Sequence, residues 1–351
     1  MTEQPSRAAT IESTSFPGVV IRPYAPGDEV RILPTFNLVF REVCGPTYVD
    51  RELSFWHWEF SDRGLGRRIS LAFAPDGTVV AQYAGVPLAM RTAFGPATFV
   101  HIVDSMVHPQ WRAGLKRPGL FVETALPWFR ACDEDYHDAV LFGYPVPTAE
   151  RIGQRYLGYA RLRVVDYLCR AVNEGSIDLP PGIAVEQVTK LGPEFDACAA
   201  RFHADKACTT ERDARYLSWR YLEVPGRPYE VFVARRDGKV VGLLALRPEH
   251  ELVPGGACIA DLVTETGDIE VKDALLATAT RRAREAGRTT LMGVFADPSA
   301  EHAWLRARGF AVVPSAQWLE RRLTHRIYHP KMTTEWLAEH WWYTLGDSDL
   351  V

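Results

Sequence analysis

An ordered internal repeat constrains this chain more than any other feature. Trp58-Glu-Phe60 returns as Trp219-Arg-Tyr221, and Asp76-Gly77 returns as Asp237-Gly238, with the same tryptophan-to-aspartate spacing (76 − 58 = 18 and 237 − 219 = 18). Three further pairs follow in the same order: Ile102-Val-Asp104 with Ile259-Ala-Asp261, Leu141-Phe-Gly143 with Leu291-Met-Gly293, and Ala149-Glu150 to Gly158-Tyr159 with Ala300-Glu301 to Gly309-Phe310. A series that keeps both order and spacing at a period of roughly 150–165 residues indicates duplication of a whole domain, not a solenoid.

The repeat divides the 351 residues into two domains, as expected because single hydrophobic cores stop growing near ~250 residues. The breaks in regular structure at Asn173-Glu-Gly-Ser and Leu179-Pro-Pro-Gly182 mark the boundary between them. Thr333 is placed to cap a short helix near the C-terminus. We therefore expect a flexible tail over 1–17, a first domain over 18–172, a linker over 173–182, a second domain over 183–322 and an aromatic tail over 323–351.

Charge, cysteine usage and hydropathy exclude several functional classes. The net charge of −4 does not suit a nucleic-acid binder with a broad basic face. Apolar runs fall short of the ~18 residues of a membrane span, and the N-terminus lacks the design of a signal peptide. The six cysteines form no CxxC, and the ten histidines show no HExxH-like spacing. We expect a cytoplasmic protein without a metal, a membrane anchor or a nucleic-acid partner.

The stretch from His101 to Arg130 combines a strand, a basic loop and a helix start. An apolar run ending at Met106 and Val107 predicts a buried strand, which His108-Pro109 terminates. The helical pattern then begins after a loop that contains Arg112, Gly114, Lys116, Arg117 and Gly119, and its first residues are Leu120 and Phe121. Free N–H groups and the helix dipole favour an anion at such a start, so the pattern is that of a phosphate site or, as in most basic glycine loops before helices, of a solvated turn.

The sequence of this stretch resembles the acyl-CoA pyrophosphate loop of the GNAT N-acyltransferase superfamily, whose usual form is R-x-x-G-x-G/A. The V-H-P-x-[W/Y]-R segment ends at Arg112, and Lys116 to Phe121 fills the loop position, after an insertion of about three residues. Pro118 removes one N–H group that could bind phosphate. With the hairpin and the closing helix, the resemblance covers about residues 18–322, and mycothiol synthase and the Fem-type aminoacyl transferases have comparable paired architecture.

The resemblance implies an α/β (α+β) fold with two tandem GNAT-like domains. Each would be a mixed, mostly antiparallel sheet with helices on both faces, and acyl-CoA would lie where the fourth and fifth strands splay apart. The co-substrate would be acetyl-CoA or another acyl-CoA, with no metal. The backbone at Met106 and Val107 would pair with the pantetheine arm and orient the acyl carbonyl. The residues that would hold the pyrophosphate are Arg112, Gly114, Lys116, Arg117, Gly119, Leu120 and Phe121.

The second copy carries acids where the first carries bases. Glu265, Asp268 and Glu270 stand at the positions of Arg112, Lys116 and Arg117, and a pyrophosphate would be repelled there. We therefore predict that the second copy keeps the fold, lacks the cofactor and is degenerate.

The reaction implied is direct attack of an amine on the thioester, which needs a base for the ammonium and an acid for the thiolate. The family often supplies the acid as a tyrosine four residues before the closing glycine, where this chain has Gln154 and, in the second copy, Leu305. Each substitute has a structural alternative. Asp104 is a base or a fold-supporting carboxylate, Tyr144 an acid or a packed aromatic, and His101 a proton relay or a packed histidine. Glu123 is interpreted as a solvated face residue.

Three functional hypotheses remain open at this point. The first is an enzyme that transfers an acetyl or other short acyl group from CoA to a primary amine of a small molecule, in the N-terminal domain. The second is a Fem-like transferase that uses charged tRNA, and the third is a non-catalytic binding module. The sequence also leaves open whether the chain forms a homodimer.

Overall fold

A computed structural model describes residues 10–46, 48–112, 118–175, 179–226, 228–250 and 252–349. The strands in this part of the chain are β1 Ile11–Glu12, β2 Val20–Pro23, β3 Arg68–Phe73, β4 Val79–Thr92, β5 Gly95–Val107, β6 Val140–Gly143, β7 Ala160–Val164, β8 Tyr167–Ala171, β9 Ile183–Val188, β10 Cys208–Thr210, β11 Glu230–Arg236, β12 Lys239–His250, β13 Gly256–Thr264, β14 Thr290–Gly293, β15 Ala311–Val313 and β16 Arg322–Ile327.

Helices separate most of these strands. The α-helices are α1 Glu29–Cys44, α2 Leu53–Glu59, α3 Leu120–Arg130, α4 Pro147–Ile152, α5 Asp196–His203, α6 Ala214–Leu217, α7 Ile269–Glu285, α8 Ala300–Ala307 and α9 Thr334–His340. Short π-helical turns extend three of them, at Ala131–Asp135, Gly153–Leu157 and Ser218–Leu222. Thr333 accepts a hydrogen bond from the Trp336 amide at 3.1 Å, which confirms the predicted cap of α9.

The first compact unit comprises the chain up to Ala89 together with Ala97–Leu162 and Leu323–Met332. Its strands follow the order β1-β2-β3-β4-β5-β6-β16-β7. Strands β1 to β4 pair antiparallel, β5 pairs parallel with β6, and β16 pairs antiparallel with β6. Residues 323–332, which the sequence analysis grouped with the C-terminal tail, thus supply a strand to this sheet.

The second compact unit comprises Met90–Pro96, Arg163–Arg322 and the chain from Thr333 onward. Its main sheet follows the order β9-β11-β12-β13-β14-β8-β15. Strands β9, β11, β12 and β13 pair antiparallel, β13 pairs parallel with β14, and β8 pairs antiparallel with β14 and β15. The two sheets share the antiparallel run followed by one parallel pair and then an inserted antiparallel strand.

The β3–β4 and β11–β12 hairpins share a glycine turn and a bulge. Gly77 and Gly238 adopt left-handed φ angles of +84° and +75° at the turns, a conformation that glycine reaches without steric cost. A register shift follows each turn, next to Phe73 in one hairpin and next to Arg235 in the other. The bulges match, whereas the loop between Ala74 and Thr78 is one residue longer than the loop between Arg236 and Lys239, so the two hairpins share their pairing from the bulge onward.

Helix α3 anchors the core of the first unit. Val122, Ala125, Trp128 and Phe129 are buried against strand residues that include Tyr83 and Leu141. Leu120, at the start of the helix, packs on a second cluster with Val19 and Val80. Each fully buried side chain of this size contributes about 1.5–3 kcal/mol, so the position of the α3 N-terminus is strongly determined.

No helix in the described ranges is both long and apolar enough to cross a bilayer.

Candidate functional site

Strands β5 and β6 of the first unit pair over three residues and then separate. Phe99–His101 pairs in parallel with Val140–Phe142. At Gly143, next along β6, a β-carbon would lie 3.1 Å from the Ile102 carbonyl oxygen. Glycine at this position therefore allows the two backbones to approach closely before they part.

The gap beyond the paired residues contains a largely apolar cavity of about 310 Å³. Its wall is formed by the end of β5, the first turn of α3, and α4 with the turn that follows it. Six of the residues predicted to bind the cofactor line this cavity, namely Met106, Val107, Arg112, Gly119, Leu120 and Phe121. The other three, Gly114, Lys116 and Arg117, lie outside the described residues.

The first turn of α3 forms one end of the cavity. Gly119 precedes the helix in an extended conformation, and its carbonyl accepts hydrogen bonds from the amides of Val122 (2.9 Å) and Glu123 (3.0 Å). Within the described residues, no side chain caps this helix. The open amides and the helix dipole therefore favour an anion here by about 0.3–1 kcal/mol.

Arg112 stands beside this helix start. Its guanidinium donates to Glu42 at 2.8 Å and to the Val107 carbonyl at 3.2 Å. The side chains of Arg112 and Glu42 are 40% and 50% exposed, and such a surface pair contributes about 0–1 kcal/mol. A phosphate could therefore displace Glu42 from Arg112 at small cost.

An N-terminal segment packs against the other side of α3. The hydroxyls of Ser13–Ser15 all donate to the Glu123 carboxylate, and the Phe16 ring lies 5.5 Å from the Trp111 ring. Burial alone would raise the pKa of Glu123, but these hydroxyls outweigh it and hold the pKa below its usual value. The interpretation of Glu123 as a solvated face residue was wrong, because sequence spacing could not reveal three hydroxyl partners so distant in the chain.

The opposite wall of the cavity comes from α4. From the sequence, Thr148 to Leu157 is expected to form one helix, with Thr148 as its cap. Instead, α4 begins at Pro147, and Gly153–Leu157 continues it as a π-helical turn that ends at Gly158, with φ +71°. Gly153 is required in that turn, because a β-carbon would lie 2.1 Å from the Tyr159 ring.

Tyr156 is a cavity residue that the sequence analysis missed. The phenol lines the cavity together with Ala149 and Ile152, whereas Gln154, the position examined for the acid, is exposed. Ala149, Ile152 and Tyr156 follow the i, i+3, i+7 spacing of one helical face, and Gln154 does not. Helical periodicity, counted forward from Ala149, was the signal that could have found Tyr156.

Asp104 is held in an ion pair at the inner end of β5. Its carboxylate pairs with Arg51, which also donates to Glu59 at 2.7 Å. All three side chains are largely buried, and the Arg51 guanidinium lies 4.2 Å from the centre of the Phe36 ring. This arrangement favours the fold-supporting interpretation of Asp104 over its use as a free base.

His101 and Tyr144 lie where β5 and β6 part. The His101 ring stacks on Phe142 with centroids 4.8 Å apart, and Tyr144 meets it edge-on at 6.0 Å. The described residues that line the cavity include neither of them, nor Asp104. The contacts favour packed aromatic roles, and participation of His101 or Tyr144 in proton transfer stays a prediction.

The second unit differs from the first at the start of the helix that follows its splayed strand. Asp268 is the N-cap of α7, and its carboxylate accepts from the Val271 amide at 3.2 Å. Arg236 pairs with both Asp268 (2.8 Å) and Glu270 (3.1 Å). The chain's own carboxylate thus satisfies the Val271 amide at this helix start, and Glu270 adds a second acid beside it.

The aspartate of the repeated Ile-x-Asp segment is also paired in the second unit. Asp261 is fully buried and accepts from Arg212 at 3.0 Å and from the Tyr221 hydroxyl at 3.0 Å. Burial raises the pKa of Asp261 above its usual value, although Arg212 opposes the shift. Arg212 precedes Trp219 by the same seven residues that separate Arg51 from Trp58, so the arginine–aspartate pair is itself repeated.

The C-terminal segment lies at the end of β14 in the second unit. Phe295 forms an antiparallel bridge with Thr344, and the Ala296 amide donates to the Tyr343 carbonyl at 3.3 Å. Leu345–Asp347 contacts β13, and Asp347 pairs with Arg212. Protein backbone therefore lies against the ends of both strands, where the first unit has its cavity.

Among the residues that the structure describes, no three His, Cys, Asp or Glu side chains come together as they would around a metal ion.

Comparison with known proteins gives a match in structure alone. No family model matches the sequence, and no curated protein matches it. A probable N-acyltransferase from Enterococcus faecalis superimposes with a TM-score of 0.62 at 11% identity, over 89% of this chain and 73% of that one. A GCN5-related N-acetyltransferase from Anabaena variabilis gives 0.62 at 14% identity, over 88% and 73%.

A further solved structure, N-myristoyltransferase from Saccharomyces cerevisiae with bound myristoyl-CoA, gives a TM-score of 0.55 at 11% identity, over 93% of this chain and 86% of that one. These similarities extend over most of the chain. The predicted fold class is therefore confirmed: the mixed, mostly antiparallel sheets and their helices form the fold of the GCN5-related N-acetyltransferases.

Proposed function

We propose that this protein is an N-acyltransferase that moves an acetyl or other short acyl group from CoA to a primary amine of a small molecule. The observation that carries the proposal is the cavity between the parted ends of β5 and β6, which runs to the uncapped first turn of α3. A slender chain fits the apolar gap, and an anion fits its far end. An acyl-CoA has both features, since a pantetheine arm joins its thioester to a diphosphate.

Each part of the co-substrate has a matching part of the cavity. Met106 and Val107 would run beside the pantetheine arm. Arg112 and the amides of Leu120 and Phe121 would hold the diphosphate, through charge-assisted hydrogen bonds worth about 1.5–3 kcal/mol each. Lys116 and Arg117 belong to the same loop in sequence and would add to this charge.

The reaction forms a bond from the amine nitrogen to the acyl carbon and breaks the bond from that carbon to sulfur, while the nitrogen loses a proton and the sulfur gains one. Tyr156, a phenol in the cavity wall, is our candidate proton donor to the sulfur. Asp104, His101 and Tyr144 remain candidates for accepting the proton of the amine. Asp104 would first have to loosen its pair with Arg51.

We further propose that the chain arose by duplication and that its second unit binds no acyl-CoA. The two sheets follow equivalent strand orders, and their hairpins share the bulge. Asp268, Glu270 and the C-terminal segment occupy the places where the first unit offers open amides and a cavity. In this proposal one active site lies in the first unit, and neither a metal nor a nucleic acid takes part.

Isothermal titration with acetyl-CoA tests the proposal. The wild-type chain should bind one equivalent, and the double variant Arg112→Ala, Arg117→Ala should bind at least tenfold more weakly, because each tenfold corresponds to about 1.4 kcal/mol. Arg281→Ala, which removes an exposed arginine from α7, is the matched control and should bind like the wild type.

A failure of the wild type to bind acetyl-CoA, or an affinity that the double variant leaves unchanged, would contradict the proposal. Release of free thiol across a panel of small amines would then identify the acceptor.

A further inference from the structure

Asp104 has an unusual backbone conformation. Its φ is +55°, in the left-handed region that a non-glycine residue adopts when surrounding contacts enforce it, and such residues cluster at functional sites. The residues that follow it, Ser105 and Met106, line the cavity. The conformation of Asp104 therefore sets the direction in which β5 meets the cavity.

Gln82 holds the backbone of Asp104 from the neighbouring strand. Its side-chain amide donates to the Asp104 carbonyl oxygen at 3.0 Å, while the Asp104 carboxylate is held by Arg51. Gln82 is 1% exposed. A glutamine this deep in a sheet has a desolvation cost, which its hydrogen bond to Asp104 offsets only in part, because Gln82 Oε1 has no partner among the described residues.

Ser105 places a hydroxyl at the cavity wall. It lines the cavity, and its Oγ is buried with no hydrogen-bond partner in the described part of the chain. Most buried hydroxyls are hydrogen-bonded, and an unpaired one that lines a cavity is in a position to bond a ligand atom.

The duplicated hairpin supplies the comparison. Gln82 pairs with Leu71 and Leu243 pairs with Val233 at the same distance from the bulge, so Leu243 is the counterpart of Gln82. Counting on from the paired aspartates, Leu262 follows Asp261 as Ser105 follows Asp104. Both polar residues of the first unit are thus leucines in the second. Among the described residues, the positive φ is found at Asp104 and not at Asp261.

We propose that Ser105 binds the carbonyl oxygen of the bound thioester and that Gln82 is a positioning residue, which keeps Asp104 left-handed so that Ser105 faces the cavity. The inference rests on the proposed function and adds to it a side chain that recognises the acyl group. A hydroxyl donating to that oxygen would also stabilise the negative charge that develops there during attack by the amine.

Two ligands that differ in the acyl group test this role. Acetyl-CoA carries the carbonyl and CoA does not, so the ratio of their dissociation constants measures carbonyl recognition. We expect the full-length wild type to prefer acetyl-CoA about fivefold, as one hydrogen bond provides. Ser105→Ala and Gln82→Leu should each bring the ratio within about twofold of one while CoA affinity is kept. Leu243→Met, a volume-conserving change in the second unit, should leave the ratio unchanged.

Kinetics and crystallography separate positioning from folding. Both variants should lower kcat about tenfold with the KM for the amine unchanged, and a crystal structure of Gln82→Leu should show Asp104 at negative φ. A wild-type ratio near one, a preference kept by Ser105→Ala, or a left-handed Asp104 in Gln82→Leu would overturn the inference. Failure of the wild type to bind either ligand would instead overturn the proposed function, and this inference with it.

Discussion

The starts of α3 and α7 show how one fold can be open to an anion in one copy and closed in the other. Both helices follow the strand that splays from its parallel neighbour. Before α3 stands Gly119, which contributes no capping side chain, whereas Asp268 caps α7 with its own carboxylate. The same helix dipole thus faces an open cavity in the first unit and an internal carboxylate in the second. A capped helix start is more stable but has lost its capacity to bind a phosphate.

The arginine–aspartate pair, in contrast to the helix starts, is the same in both units. Arg51 holds Asp104 and Glu59, and Arg212 holds Asp261 and Asp347. The third partner comes from α2 in the first unit and from the C-terminal segment in the second. Because the arginine–aspartate pair is present both in the unit with the cavity and in the unit without it, we assign the pair to the stability of the strand that carries the aspartate. The features that differ between the two units are the better guide to chemistry.

The largest effect should follow from breaking the buried triad of the second unit. Arg212→Met leaves Asp261 and Asp347 facing each other out of water, and we expect a loss of about 3–5 kcal/mol in the free energy of unfolding, measured in urea. Arg51→Met should cost less than half as much, because Asp104 and Glu59 retain some contact with solvent. Equal losses in the free energy of unfolding would mean that the two triads contribute equally to stability, contrary to this prediction.

A catalytic effect should separate Tyr156 from its counterpart. The closing helices align Ala149 with Ala300, which places Ala307 opposite Tyr156. Tyr156→Phe should lower kcat about 100-fold, a typical effect for removal of a general acid, with the affinity for acetyl-CoA unchanged. Gln154→Ala, two residues away on the exposed side, is the matched control and should retain full activity. If the Tyr156→Phe enzyme is as fast as the wild type, the Tyr156 hydroxyl is not the proton donor and the side chain only packs in the cavity wall.

The repeat made much of the fold predictable, but it could not predict which strands pair when they are distant in the chain. The hairpins at Asp76 and Asp237 and the helix that ends at Gly158 follow from local patterns that glycine and turn residues enforce. Local patterns carry no information about the partner of a strand. For that reason the sequence grouped 323–332 with a tail, while β16 pairs with β6 far away in the chain.

At the candidate site, the main chain was easier to predict than the side chains. The strand end at Met106 and Val107 and the helix start at Leu120 lie in the cavity wall because the loop motif describes backbone geometry. Tyr156 was missed by counting back from a glycine instead of following a helical face. The partners of Glu123 were beyond prediction, since they depend on tertiary packing between residues more than a hundred positions apart.

The smallest of these effects would transfer the closed state of α7 to α3. Gly119→Asp introduces at α3 the cap that Asp268 provides at α7, and extended backbone at Gly119 (φ −125°) accepts the side chain. We expect the free energy of unfolding to rise by about 0.5–1 kcal/mol while the dissociation constant for acetyl-CoA increases about tenfold, because the carboxylate satisfies the amides and repels the diphosphate. Gly119→Ala separates the effect of side-chain size from that of charge, and its dissociation constant for acetyl-CoA should be within about twofold of the wild-type value. If Gly119→Asp binds as tightly as Gly119→Ala, the diphosphate does not lie at this helix start, and the contrast between the two helices is one of stability alone.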